Sequence, residues 1–116
     1  MSKGRILAIL VFASIAAIGV TAYAGETQTP SHPSDLFKQY CAKCHGEDGK
    51  AQTAKGRSLK ARNFTDGEFQ SGESDADLIK SVTEGKDDMP PFGKKLTPEQ
   101  IQSLVKNDVR GFAPTK

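Results

Sequence analysis

Apolar residues recur with helical spacing in three stretches of this chain. Leu36, Phe37, Tyr40, Cys41 and Cys44 fall at intervals of three and four and so mark one face of a helix. Ser34 is a good N-cap for it, Asp35 suits the electropositive first turn, and Gly46 provides a stop. A second face, Leu78, Ile79 and Val82, is preceded by Ser74 and Asp77 in capping-box spacing and followed by Gly85. The third stretch has the clearest punctuation. Thr97 as N-cap, Pro98 at the first helical position and Gln100 form a capping box, with Leu96 and Ile101 placed as a hydrophobic staple. Ile101, Leu104, Val105, Val109 and Phe112 continue down one side until Gly111 and Pro114. Between these helices, Thr65 or Asp66 caps a short turn carrying Phe69, whereas residues 46–62 lack a sustained period and read as a loop anchored by Leu59 and Phe64. The pattern predicts an all-α domain of three main helices.

The N-terminal segment does not belong to that domain. Lys3 and Arg5 precede an uncharged apolar run from Ile6 to Val20, and Ala22-Tyr23-Ala24 before Gly25 is a small-residue cleavage signal. Residues 1–24 therefore read as an export signal peptide, 25–33 as a flexible lead-in containing Pro30 and Pro33, and 34–116 as the folded domain. An uncleaved anchor is the alternative, because Ile6 to Ala24 is just long enough to span a thin or locally matched bilayer.

Removing the leader changes the charge. The 16 Lys and Arg fall to 14 without Lys3 and Arg5, level with 14 Asp and Glu, so net charge offers no case for nucleic-acid binding. The distribution is uneven: basic residues dominate 38–62 and acidic ones 66–88. A mature chain of roughly 90 residues without tryptophan has little core of its own. A large cofactor would fill it, and the apoprotein is expected to be largely unfolded.

Such a cofactor is announced by Cys41-Ala42-Lys43-Cys44-His45. On a helix, positions 41, 44 and 45 stand at i, i+3 and i+4, so two thiols and an imidazole project from one side, as covalent attachment of a c-type haem requires. Three other readings compete. A thioredoxin-like pair needs a βαβ surround, and no strand-period run flanks the motif. Structural zinc needs four ligands, and beyond the motif the chain offers only His32 and carboxylates. A Cys41–Cys44 disulfide is the plainest alternative in an exported protein. If His45 binds iron, its other ring nitrogen needs an acceptor, expected to be a backbone carbonyl near Gly56 to Ser58. Lys60 and Arg62 are candidates to neutralise propionates.

A second axial donor is available in Asp87-Asp88-Met89-Pro90-Pro91-Phe92-Gly93. Met89 is the one methionine left without Met1, and Pro90 and Pro91 hold it in an extended, rigid loop. Beside two acids and two prolines it is poorly placed for a helix core, which favours ligation. His32 is the rival donor but reads as a solvated lead-in histidine. Phe37 and Tyr40 read as core packing, not as electron relays.

Taken together, these motifs resemble the class I c-type cytochromes, small single-haem electron carriers. The resemblance runs from Leu36-Phe37 through the C-x-x-C-H motif to Met89-Pro90-Pro91-Phe92-Gly93 and Leu96-Thr97-Pro98-Glu99-Gln100-Ile101. It implies the cytochrome c fold, with crossing N- and C-terminal helices and one haem c. Cys41 and Cys44 would be the thioether sites, His45 the proximal ligand and Met89 the distal one. It also implies attachment outside the bacterial cytoplasmic membrane, hence the periplasm. One departure stands out. Terminal helices of this family commonly carry an aromatic near their middle, where this chain has Lys106, Asn107 and Asp108, so the crossing is expected to be weaker or shifted, with Phe112 supplying the ring.

The function so implied is one-electron transfer by a monomer that docks redox protein partners, not an enzyme, with neither nucleic acid nor membrane bound after cleavage. Lys43, Lys50, Lys55, Lys86, Lys94 and Lys95 are expected to ring the haem edge and steer an acidic partner. The alternatives are a gas-binding or peroxidatic haem domain with a displaceable distal ligand, and a membrane-tethered cytochrome serving one enzyme complex.

Overall fold

The computed structural model describes residues 32–115, together with Ser14 and Gly19. Apart from those two positions, the expected leader and the lead-in up to Ser31 lie outside the described residues.

The described chain is helical, as expected, with no strand among the described residues and a single isolated bridge between Lys86 and Met89. The first predicted helix is divided. α1 spans Asp35–Tyr40 and α2 spans Ala42–His45, with a break at Cys41, where φ is −115°. Hydrogen bonding carries across the break, because Cys41 N donates to Phe37 O and His45 N to Cys41 O. Ser34 caps α1 by accepting from Phe37 N, and Gly46 ends α2 at φ +76°, a value that favours glycine.

Within the segment expected to be loop, α3 spans Ala54–Ser58, capped by Thr53 accepting from Gly56 N. Five residues carry no readable period, so this helix was hidden from the apolar pattern. α4 spans Gly67–Gly72 with Asp66, one of the two expected candidates, as its cap. α5 spans Asp75–Glu84 between Ser74 and Gly85. The box at its start is half formed: Ser74 accepts from Asp77 N, but the Asp77 carboxylate takes the Ser74 hydroxyl at 2.6 Å instead of reaching back to the backbone.

At the C-terminal end the Thr97 and Gln100 capping box is complete, and α6 spans Pro98–Ser103. The helix then widens into a π segment, Leu104–Val109, and tightens into a 3₁₀ turn, Arg110–Phe112. The sequence signalled one regular helix here. The wide turn coincides with Asp108, which is buried and reaches across to α1. Its carboxylate accepts from Ser34 N at 2.7 Å and from the Ser34 hydroxyl at 2.8 Å. The terminal helices are thus joined by a polar tie where an aromatic was missing, and Phe112 does supply a ring, 5.2 Å from that of Phe37.

Phe37, Phe64, Leu78, Phe92, Leu96, Ile101, Leu104, Val105 and Val109 form one core drawn from every main helix. Both members of the expected staple, Leu96 and Ile101, lie in it. Arg110 fastens the edge of the domain by donating to Asp75 Oδ1, Gln70 O and Oε1, and Glu73 O, which binds the α4–α5 junction to the C-terminal helix.

Candidate functional site

A cavity of about 390 Å³ opens between these helices, and Cys41, Cys44, His45 and Met89 all line it. Tyr40, Leu59, Phe64, Leu78, Val82 and Phe92 give it mainly apolar walls. Such a cavity falls within the volume range of small-molecule and cofactor pockets.

His45 is held from two sides. Its ring stacks on Phe64 with centroids 4.2 Å apart and planes 16° from parallel. Its Nδ1 lies 3.0 Å from Arg62 O, and since a carbonyl only accepts, Nδ1 carries the proton. Nε2 is then left with a lone pair. Burial holds the His45 pKa below its ordinary value and outweighs the opposing pull of the Arg62 carbonyl, so the ring is neutral at pH 7. The acceptor lies at Arg62, not within Gly56 to Ser58 as expected. The difference has a cause: α3 turns residues 54–58 inward on their own hydrogen bonds, and the chain meets the imidazole only after leaving that helix.

Thr53 and Gly56 fix the helix that carries the motif. The Thr53 hydroxyl lies 2.8 Å from Lys43 O and 3.0 Å from Cys44 O and also accepts from Gly56 N, so it satisfies carbonyls at the end of α2. Gly56 packs so closely that a Cβ there would overlap Cys44 O. Sequence reasoning missed this clamp, although Thr53 ahead of a Gly-containing turn is a recognisable N-cap signal.

Cys41 and Cys44 are free thiols, both partly buried. Desolvation, then the charges of Asp108 and Cys44, push the Cys41 thiol up to about 12, which keeps it protonated and weakens it as a nucleophile or metal ligand. The zinc reading gains nothing, because among the described residues no three His, Cys, Asp or Glu side chains gather into a metal-binding group.

The Met89 loop is braced by its backbone, with Lys86 N donating to Met89 O at 3.2 Å and Met89 N to Lys86 O at 2.9 Å. Gly85 permits the close turn beneath it, since a Cβ there would lie 2.7 Å from Met89 O. His32 is elsewhere. Its Nε2 lies 3.0 Å from Asp108 O, and its ring meets Phe112 edge-on at 4.3 Å, so it does not line the cavity.

Charged side chains crowd the cavity's border. Lys43, Lys55, Lys60, Arg62 and Lys86 line it and are exposed, as are Asp87 and Asp88, together with the half-buried Glu73. Lys50, Lys94 and Lys95, expected in the same ring, do not line it. An apolar chamber with two thiols, one neutral imidazole, one thioether and a basic border fits a haem: the walls suit the macrocycle, the cations its propionates, and the donors its vinyl groups and iron.

Comparison with known proteins points the same way. Residues 28–106 match the protein family described as cytochrome C oxidase, cbb3-type, subunit III. The chain is 33% identical over 82 residues to the cbb3-type cytochrome c oxidase subunit FixP of Azorhizobium caulinodans, covering 70% of this chain and 27% of that protein. It therefore spans about a quarter of the length of that relative. It is 36% identical over 74 residues to cytochrome c6 of Aphanizomenon flos-aquae, covering 60% of this chain and 76% of that protein. Among solved structures, the KustC0563 c-type cytochrome superposes with a TM-score of 0.64 at 45% identity, over 68% of this chain and 94% of that one.

Proposed function

This chain belongs to the c-type cytochromes, in the family described as cytochrome C oxidase, cbb3-type, subunit III, and we propose that it is a periplasmic one-electron carrier with a single His45/Met89-ligated haem c. One observation carries the reading: Cys41, Cys44, a neutral His45 and Met89 line the same apolar cavity. The family implies covalent haem c, which when bound supplies a one-electron ferric/ferrous couple. Cys41 and Cys44 would hold it as thioethers. His45, oriented by Arg62 O and Phe64, would give Nε2 to iron, and Met89 its sulfur. A thioether ligand together with an imidazole would favour ferrous iron and raise the potential. The braced 86–89 turn keeps Met89 in place, so little has to move when the charge on the iron changes.

The visible spectrum and intact mass of the purified protein test this directly. The mass should equal the chain after cleavage before Gly25 plus one haem, and the ferrous form should not bind carbon monoxide. A ferrous form that takes up carbon monoxide readily would favour the gas-binding or peroxidatic alternative.

Redox partners follow from the family, and the exposed cations bordering the cavity suit an acidic docking face. Electron-transfer rates to such a partner should fall as ionic strength rises. A rate independent of salt would remove the steering role of Lys43, Lys55 and Lys86. A second reading rests on the family match and on FixP, namely that the domain serves one membrane oxidase complex. Among the described residues no helix is long and apolar enough to cross a membrane. A mature mass that retains residues 1–24 would favour it.

A further inference from the structure

Asp108 stands out because it is a carboxylate, 2% exposed, placed four residues after Leu104 on the buried stripe of the C-terminal helix. Its immediate neighbour Val109, and Val105 three residues before it, both line the cavity. Its own side chain turns away from the cavity towards Ser34, whose N–H and hydroxyl both donate to it. Two donors from one residue satisfy the carboxylate as an anion but bring no compensating positive side chain. The only salt bridges among the described residues are Lys38 with Asp35 and Arg110 with Asp75, so Asp108 has no cationic partner there.

We propose that Asp108 is a positioning and potential-setting residue: a buried anion behind the haem attachment helix, held by Ser34, that lowers the reduction potential of the bound haem. The inference rests on the haem reading above. Reduction takes one electron from a donor protein and turns ferric into ferrous iron, with no bond made or broken. The ferric state carries one more positive charge and is the state a nearby fixed anion favours, more strongly at low dielectric. The His45/Met89 pair would push the potential up, and Asp108 would pull it back.

The test uses holoprotein and two variants. Asp108→Asn keeps a side chain of the same size that can still accept from Ser34 N, but it removes the charge. Ser34→Ala keeps the charge and removes the hydroxyl donor that partly neutralises it. Both loosen the same helix crossing. If Asp108 merely held the helices together, both potentials would move in one direction with the loss of stability. A potential-setting anion gives opposite signs. Asp108→Asn should shift the one-electron equilibrium about tenfold towards the reduced form, about 59 mV upward, and Ser34→Ala should shift it downward. Spectroelectrochemical titration reads both, and the spectrum of each variant shows whether haem and its ligands are intact. Shifts of equal sign, or a shift under about twofold in Asp108→Asn with an unchanged spectrum, would overturn the proposal. If Asp108→Asn does not load haem, Ser34→Ala decides: an unchanged or raised potential overturns it. Wild-type protein without covalent haem would instead defeat the underlying haem reading, a separate outcome visible from mass alone.

Discussion

Replacing Met89 with alanine should lower the reduction potential on the order of 0.1 V, a part of the roughly 0.8 V that axial ligands command. The ferric protein should also lose its weak far-red sulfur-to-iron charge-transfer band. Met89 lines the cavity that His45 lines, on a turn fixed by two backbone hydrogen bonds, and no other methionine is among the described residues. His32→Ala is the matching control. Its imidazole is engaged with Asp108 O and Phe112 outside the cavity, so band and potential should survive. A ferric spectrum unchanged in Met89→Ala would exclude thioether ligation, and a band lost in His32→Ala would revive the bis-histidine alternative.

The second large effect concerns stability. Phe37 is fully buried at the meeting of α1 with the C-terminal helix, its ring 5.2 Å from that of Phe112 and 6.3 Å from that of Phe64. Phe64 in turn stacks on His45, so the aromatic series connects the helix crossing to the imidazole. Phe37→Ala should cost about 3–5 kcal/mol, a large share of what a small domain possesses. Guanidinium unfolding of ferric holoprotein, followed by far-UV circular dichroism, would measure it. A loss below about 1 kcal/mol would show that the crossing does not depend on this ring. Partial loss of the haem ligand spectrum before global unfolding would show that the aromatic series transmits disorder to His45.

Much of this was readable before any coordinates. The Thr97 box, the Gly46 and Gly85 stops and the Asp66 cap are local chemistry, in which a side chain bonds a backbone group two or three residues away or a glycine takes a positive φ. Cys41, Cys44, His45 and Met89 could be picked out because each is rare in the chain and set among punctuating residues. What escaped was tertiary. α3 is five residues long and owes its place to the Thr53 hydroxyl bonding carbonyls ten and nine positions earlier. The π segment has no signature beyond a charged residue on an apolar stripe, and Asp108 there finds its partner 74 positions away. Such pairings leave no periodic trace, because they join residues far apart in the chain.

The bond from His45 Nδ1 ends on the main-chain oxygen of Arg62, not on a side chain. Every substitution at position 62 keeps that oxygen, so neither natural variation nor an alanine scan would register its importance. The orientation of the His45 imidazole is thereby insulated from point mutation and answers only to changes in the path of the chain. Insertions or deletions between Gly46 and Arg62 would disturb it, and so would a side chain at Gly56. Length, more than composition, is what this segment must preserve.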